Sequence, residues 1–132
     1  MHFRLAVLLL LVLASPALAA EQEGAAKEPA PIYVSIAPLS VPIVRGVQLQ
    51  GRFDMQLVLE VENKERQAEV ERLMPRLEAA YLANLTDLAQ YYVTPGKAVD
   101  VALVARILQA TTDRILGSGQ ARVLVQEAAI RR

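Results

Sequence analysis

Residues 47–62 read VQLQGRFDMQLVLEVE. Val47, Leu49, Phe53, Met55, Leu57, Leu59 and Val61 fall on odd positions. Gln48, Gln50, Arg52, Asp54, Gln56, Glu60 and Glu62 fall on even ones, with Val58 the exception. Side chains alternate across a strand, so this spacing predicts one β-strand with an oily face and a wet face. The oily face needs cover, and two helical patterns downstream can supply it. Gly51 interrupts the alternation and predicts a bulge or a kink.

Asn63 stands where the strand ends and predicts a helix N-cap. Beyond it Val70, Leu73, Met74, Leu77, Tyr81, Leu85, Leu88 and Tyr92 recur at threes and fours, the stripe of a long amphipathic helix. Pro75 lies inside that stripe. It predicts a kink near Glu71 to Met74, or a restart with Pro75 in a first turn. Thr94-Pro95-Gly96 closes the element. Asp100 predicts the N-cap of a second helix, Val101 to Leu116, with Gly117 at C′. Its stripe is Val101, Val104, Leu108 and Ile115, widened by Leu103 and Ile107; Arg106, Gln109, Asp113 and Arg114 fall toward the other side. A last strand is expected around Arg122 to Gln126.

Upstream of the central stretch, Ile32 to Val44 is rich in β-branched residues and carries Pro38 and Pro42. Proline lacks the N–H that a ladder needs, so this reads as an edge strand, or as two short strands with a bend. Arg45-Gly46 reads as a turn. The fold class expected is α+β: a small antiparallel sheet of three or four strands, covered on one face by two helices.

The first nineteen residues have the parts of a secretory signal peptide. A short basic start (His2, Arg4) precedes an apolar run from Leu5 to Ala14, and Ala17-Leu18-Ala19 places small residues at a cleavage site. The run is short for a membrane span, although an uncleaved anchor over Phe3 to Ala20 is the rival reading. Residues 20–31 (AEQEGAAKEPAP) read as a flexible spacer, and residues 32–132 as the folded domain. Export would place that domain in the periplasm, at the inner membrane only if the leader is retained.

Composition closes off several chemistries. The 132 residues carry 14 basic and 14 acidic side chains, so the basic footprint of a nucleic-acid binder is missing. There is no cysteine, and the single histidine, His2, sits in the leader. Cysteine or histidine nucleophile pairs and Cys/His metal sites are therefore not expected, and no glycine-rich phosphate loop is present. No cofactor is expected. Carboxylates are the remaining acid–base candidates: Glu60 with Glu62 on one strand face, and Glu65 with Glu69 one helical turn apart. A solvated face balanced by Lys64, Arg66 and Arg72 is the stronger reading.

Arg52, Asp54 and Gln56 on the wet strand face form one candidate recognition surface, against the plainer reading of ordinary sheet exterior. Tyr91 and Tyr92 form a second, against the plainer reading that Tyr92 completes the helix stripe. Met55 and Met74 read as core filler.

Tyr33-Val34-Ser35-Ile36-Ala37-Pro38-Leu39-Ser40-Val41-Pro42-Ile43 resembles the opening of the periplasmic domain of the flagellar basal-body FliL family. The central strand from Arg52 to Glu62, the helix carrying Leu73-Met74-Pro75-Arg76-Leu77, and the close at Leu116-Gly117 and Val123-Leu124-Val125 are also similar. The resemblance spans about Ile32 to Gln126. Pro42-Ile43 stands where that family usually has Asn-Leu, and the signal-type leader stands where it has a transmembrane helix. The resemblance implies a stomatin-like domain without catalysis. It implies association with the linker region of flagellar stator units, support of torque and motility, and a possible homo-oligomeric ring. The alternative is a periplasmic scaffold or adaptor with no flagellar partner. In a ring, the sheet edge and the polar strand face would be the contacts.

Overall fold

The computed structural model describes residues 29–132. The leader and nearly all of the spacer lie outside the described residues. The elements are β1 (Ile32–Ser35), β2 (Leu39–Arg45), β3 (Gln48–Val61), α1 (Lys64–Tyr91), α2 (Val101–Leu116) and β4 (Arg122–Arg131). The strands form one antiparallel sheet of four, and the two helices cover one of its faces. The arrangement is α+β, as the alternation and the two stripes require. No helix among the described residues is long and apolar enough to cross a membrane.

β3 is the axis of the sheet. Its C-terminal part pairs with β1, its N-terminal part with β2, and its middle also pairs with β4. β4 overlaps both other partners along β3, so β1 and β2 must lie end to end on one edge and β4 on the other. The proline-bearing segment is thus both things at once: an edge, and two strands with a break. Across the break, the Ile36 N–H donates to the Leu57 carbonyl at 3.1 Å. The Gln56 amide nitrogen donates to the Ile36 carbonyl at 2.9 Å, satisfying an acceptor that the ladder leaves open.

Phe53, Met55, Leu57, Leu59 and Val61 are buried, as the alternation predicts. Val47 and Leu49 are not: they are 101% and 68% exposed. The reason is a register shift. Ile43 faces Gly51, but Val44 faces Leu49, so Gln50 is an extra residue. One extra residue flips every side chain beyond it to the other face. Leu49 therefore leaves the covered face and joins Val44, which points outward by the ordinary alternation of β2, while Arg45 points inward. A two-residue loop, Gly46-Val47, joins the strands; Gly46 has φ 62° and Val47 does not share its positive φ, as in a type II′ turn. The Gly51 bulge is thus present. β4 carries a bulge of its own at Gln126, between the Gln56–Glu127 and Leu57–Val125 pairs, and runs to Arg131 rather than ending near Gln126. The bulge and two alanines hide the alternation of its second half.

Asn63 caps α1 by accepting the Arg66 N–H at 2.9 Å, and Asp100 caps α2 by accepting the Leu103 N–H at 3.0 Å. α1 continues through Pro75 without a restart. Pro75 and Glu71, whose carbonyl loses its intrahelical donor, both lie on the exposed side, where water can satisfy that carbonyl. Val70, Leu77, Tyr81, Leu85 and Leu88 are buried, while Leu73 and Met74 are half-buried. Tyr92 is the exception to the stripe. The helix ends at Tyr91, and Val93 takes the buried place instead.

α1 has no basic residue in its last turn. Arg45 supplies the cation from β2, donating to the Ala89 carbonyl at 3.0 Å and the Val93 carbonyl at 2.5 Å. These contacts satisfy orphan carbonyls and complement the helix dipole. On α2, Val101 is exposed rather than in the stripe; Thr111 and Thr112 share the buried face with Val104 and Leu108. The threonines are paired. Tyr81 Oη lies 2.6 Å from Thr112 Oγ1, Thr112 donates to the Leu108 carbonyl at 2.7 Å, and Asn84 donates to Thr111 Oγ1 at 2.5 Å. Burial pushes the Tyr81 phenol above its ordinary pKa.

Gln109 does not point away either. Its amide donates to the Ala121 carbonyl at 2.9 Å and accepts the Val123 N–H at 2.8 Å. The side chain thereby stands in for a peptide unit of a neighbouring strand at the start of β4.

Candidate functional site

The uncovered face of the sheet brings two of the predicted recognition residues into one network. Arg52 sits directly across from Arg131, and Ser40 across from Asp54. Two guanidinium groups in cross-strand register repel. Asp54 offsets this by taking Arg131 Nε at 2.8 Å and the hydroxyl of Ser40. Arg52 donates to Ser40 Oγ from Nε at 3.0 Å and from Nη2 at 2.8 Å. Arg131 also approaches Glu127 at 3.4 Å. A shallow groove of about 570 Å³ runs over these residues.

The members are not equally free. The Asp54 carboxylate is committed to Arg131 and Ser40, and the Gln56 amide to the Ile36 carbonyl. Arg52 has no carboxylate partner among the described residues, and the two bonds to Ser40 leave three of its five N–H groups open. A guanidinium held in place with donors to spare is suited to a carboxylate or a backbone carbonyl of a partner.

Tyr91 and Tyr92 stand apart from this cluster, at the end of α1. They are 70% and 66% exposed. The contact between Arg45 and the last carbonyls of α1 brings that helix end beside the β2–β3 hairpin. Val44, Val47 and Leu49 are exposed there as well. Ser40, Glu127 and Arg131 were not among the residues singled out from the sequence, because their place beside Arg52 depends on pairing between distant strands. The alternation alone puts Val47 and Leu49 on the oily face; Gly51 is the sequence signal that could move them.

The carboxylate candidates do not assemble into an acid–base pair. Glu62 and Glu65 are exposed, and Glu60 is half-buried. A hydrogen bond from Arg72, at 2.6 Å, holds the Glu69 carboxyl below its ordinary pKa, the opposite of what a general acid needs. A second groove, of about 660 Å³, lies at the β1 end of the sheet between Glu60, Glu62, Asp113 and Arg122. Among the described residues no group of three or more His, Cys, Asp or Glu side chains is arranged to hold a metal ion.

No protein family matches this sequence, and neither a curated protein nor a solved structure shows significant similarity to it.

Proposed function

We propose that this chain is an exported, non-enzymatic accessory protein of the flagellar motor, similar to the periplasmic domain of the FliL family, that binds stator units and supports torque. The resemblance from Tyr33 to Ile43 and along Arg52 to Glu62 motivates the partner. The observation that carries a binding role is the open sheet face with Arg52 on it: an exposed, positioned guanidinium with uncommitted donors. The stator linker would supply carboxylates and main-chain carbonyls. The exposed Tyr91 and Tyr92 would provide a second contact.

The test is a deletion strain complemented with the full chain or with Arg52→Glu. The expected result is reduced swimming in soft agar and in viscous medium on deletion, rescued by the full chain and not by the variant. Stator subunits should co-purify with the first and be depleted with the second. Unchanged swimming on deletion would overturn the motor assignment. The signal-type leader favours one second reading, a periplasmic adaptor without a flagellar partner; a genome lacking flagellar genes would select it.

A further inference from the structure

The β2–β3 hairpin end has a property that the recognition face does not use. Its apolar side chains have no cover and form a convex tip. Val47 is 101% exposed, Leu49 68% and Val44 43%. Residues 46–51, GVQLQG, carry no charge. Tyr91 and Tyr92 stand beside the tip, through the Arg45 contacts to Ala89 and Val93. Cations lie behind it. Arg52 and Arg131 face each other three residues further along β3 than Leu49, Arg132 follows, and Lys97 is next to Gly96, which approaches the Arg132 side chain.

We infer that the hairpin end docks on the surface of an anionic lipid bilayer. An uncharged apolar tip with tyrosines beside it and cations behind it carries the three side-chain types that a bilayer interface takes up: apolar groups among the acyl chains, tyrosine at the polar–apolar boundary, cations at the headgroup phosphates. A fluid surface conforms to a convex tip, whereas a protein partner would need a matching cavity. A second copy is disfavoured by charge, since two identical tips meeting would bring both sets of Arg52, Arg131, Arg132 and Lys97 together. Asp54 and Glu127, the acids nearest these cations, are both already bonded to Arg131; Asp87 and Asp100 are the other acids of this end. Ile32 pairs with Val61 and so lies at the opposite end of β3. The hairpin thus lies at the end of the sheet away from the start of β1. The inference does not rest on the motor assignment.

The chain has no cysteine, so Val47→Cys gives the full chain a single attachment point for an environment-sensitive dye. Ser118→Cys, exposed between α2 and β4 at the far end, is the control. The probes are vesicles of phosphatidylcholine with and without phosphatidylglycerol, containing lipids brominated on the acyl chains. The dye at position 47 should shift to the blue and be quenched by the anionic vesicles, less so in high salt or on phosphatidylcholine alone. The dye at position 118 should do neither. Adding Leu49→Glu to the Val47→Cys chain should weaken the partitioning about tenfold or more, judged from the apolar area withdrawn, with thermal unfolding unchanged. Three results would each overturn the inference: an unquenched dye at 47, equal quenching at 47 and 118, or a blue shift without vesicles that grows with protein concentration. The last would assign the tip to a second copy.

Discussion

At position 51 the backbone takes φ 147°, and a Cβ there would overlap the carbonyl oxygen of Arg131. Two demands meet on one residue: a conformation that L side chains rarely adopt, and the close approach of β4. Gly51→Ala should lower stability by about 2–3 kcal/mol, a loss that urea unfolding would read directly. Tyr81 is a second such residue. Removing its hydroxyl in Tyr81→Phe should cost about 1 kcal/mol, because Thr112 keeps its bond to the Leu108 carbonyl. The pH dependence has a definite sign. Burial raises the folded pKa above the ordinary value of 10.0. Above that value the unfolded chain gives up the proton more readily than the folded one. Tyr81 therefore makes stability fall as pH rises past about 10, and below that it contributes no slope. Denaturant titrations at pH 9 and pH 11 should show a larger difference for the wild-type chain than for Tyr81→Phe.

Among the elements, α1 depends on a residue outside itself. Arg45→Ala would leave the Ala89 and Val93 carbonyls without their charged donor, at a cost of about 1–2 kcal/mol. Amide hydrogen exchange should show the loss concentrated in the last turns of α1 and the hairpin. α2 is legible at both ends, because Asp100 and Gly117 are chemically specific to a helix start and stop. β3 is legible from Phe53 onward for a different reason: period two admits one strand face and no other. Legibility fails at the bulge. Gly51 announces an irregularity, but its sense, whether the extra residue inverts Leu49 or Phe53, depends on how β2 and β4 seat against it. The buried threonines of α2 were hidden because a hydroxyl looks polar until Tyr81 and Asn84 are opposite it. For the recognition face, Arg52, Asp54 and Gln56 share a side by parity alone. Which of them is free depends on Ser40, Ile36 and Arg131, brought together only by pairing.

For the molecule as a whole, both sheet edges are blunted. Pro42 and the break at Pro38 interrupt one; the Gln126 bulge and the Gln109 side chain interrupt the other. Strand addition is thus the least favoured route to an oligomer, which leaves the open face and the hairpin end as contact surfaces. Gln109→Ala would strip the Val123 N–H of its acceptor. It should destabilise by about 1–3 kcal/mol and raise the apparent mass in concentrated solution, as seen by light scattering. The strand order has a mechanical corollary. β1 and β4 lie on opposite edges of β3 and run parallel to each other, with Ile32 at one end of the sheet and Arg131 at the other. A pull between those two points loads the ladders in shear, so their hydrogen bonds must give way together. Tension applied across the hairpin would instead unzip it rung by rung, and force spectroscopy along the two directions would separate a stiff axis from a soft one.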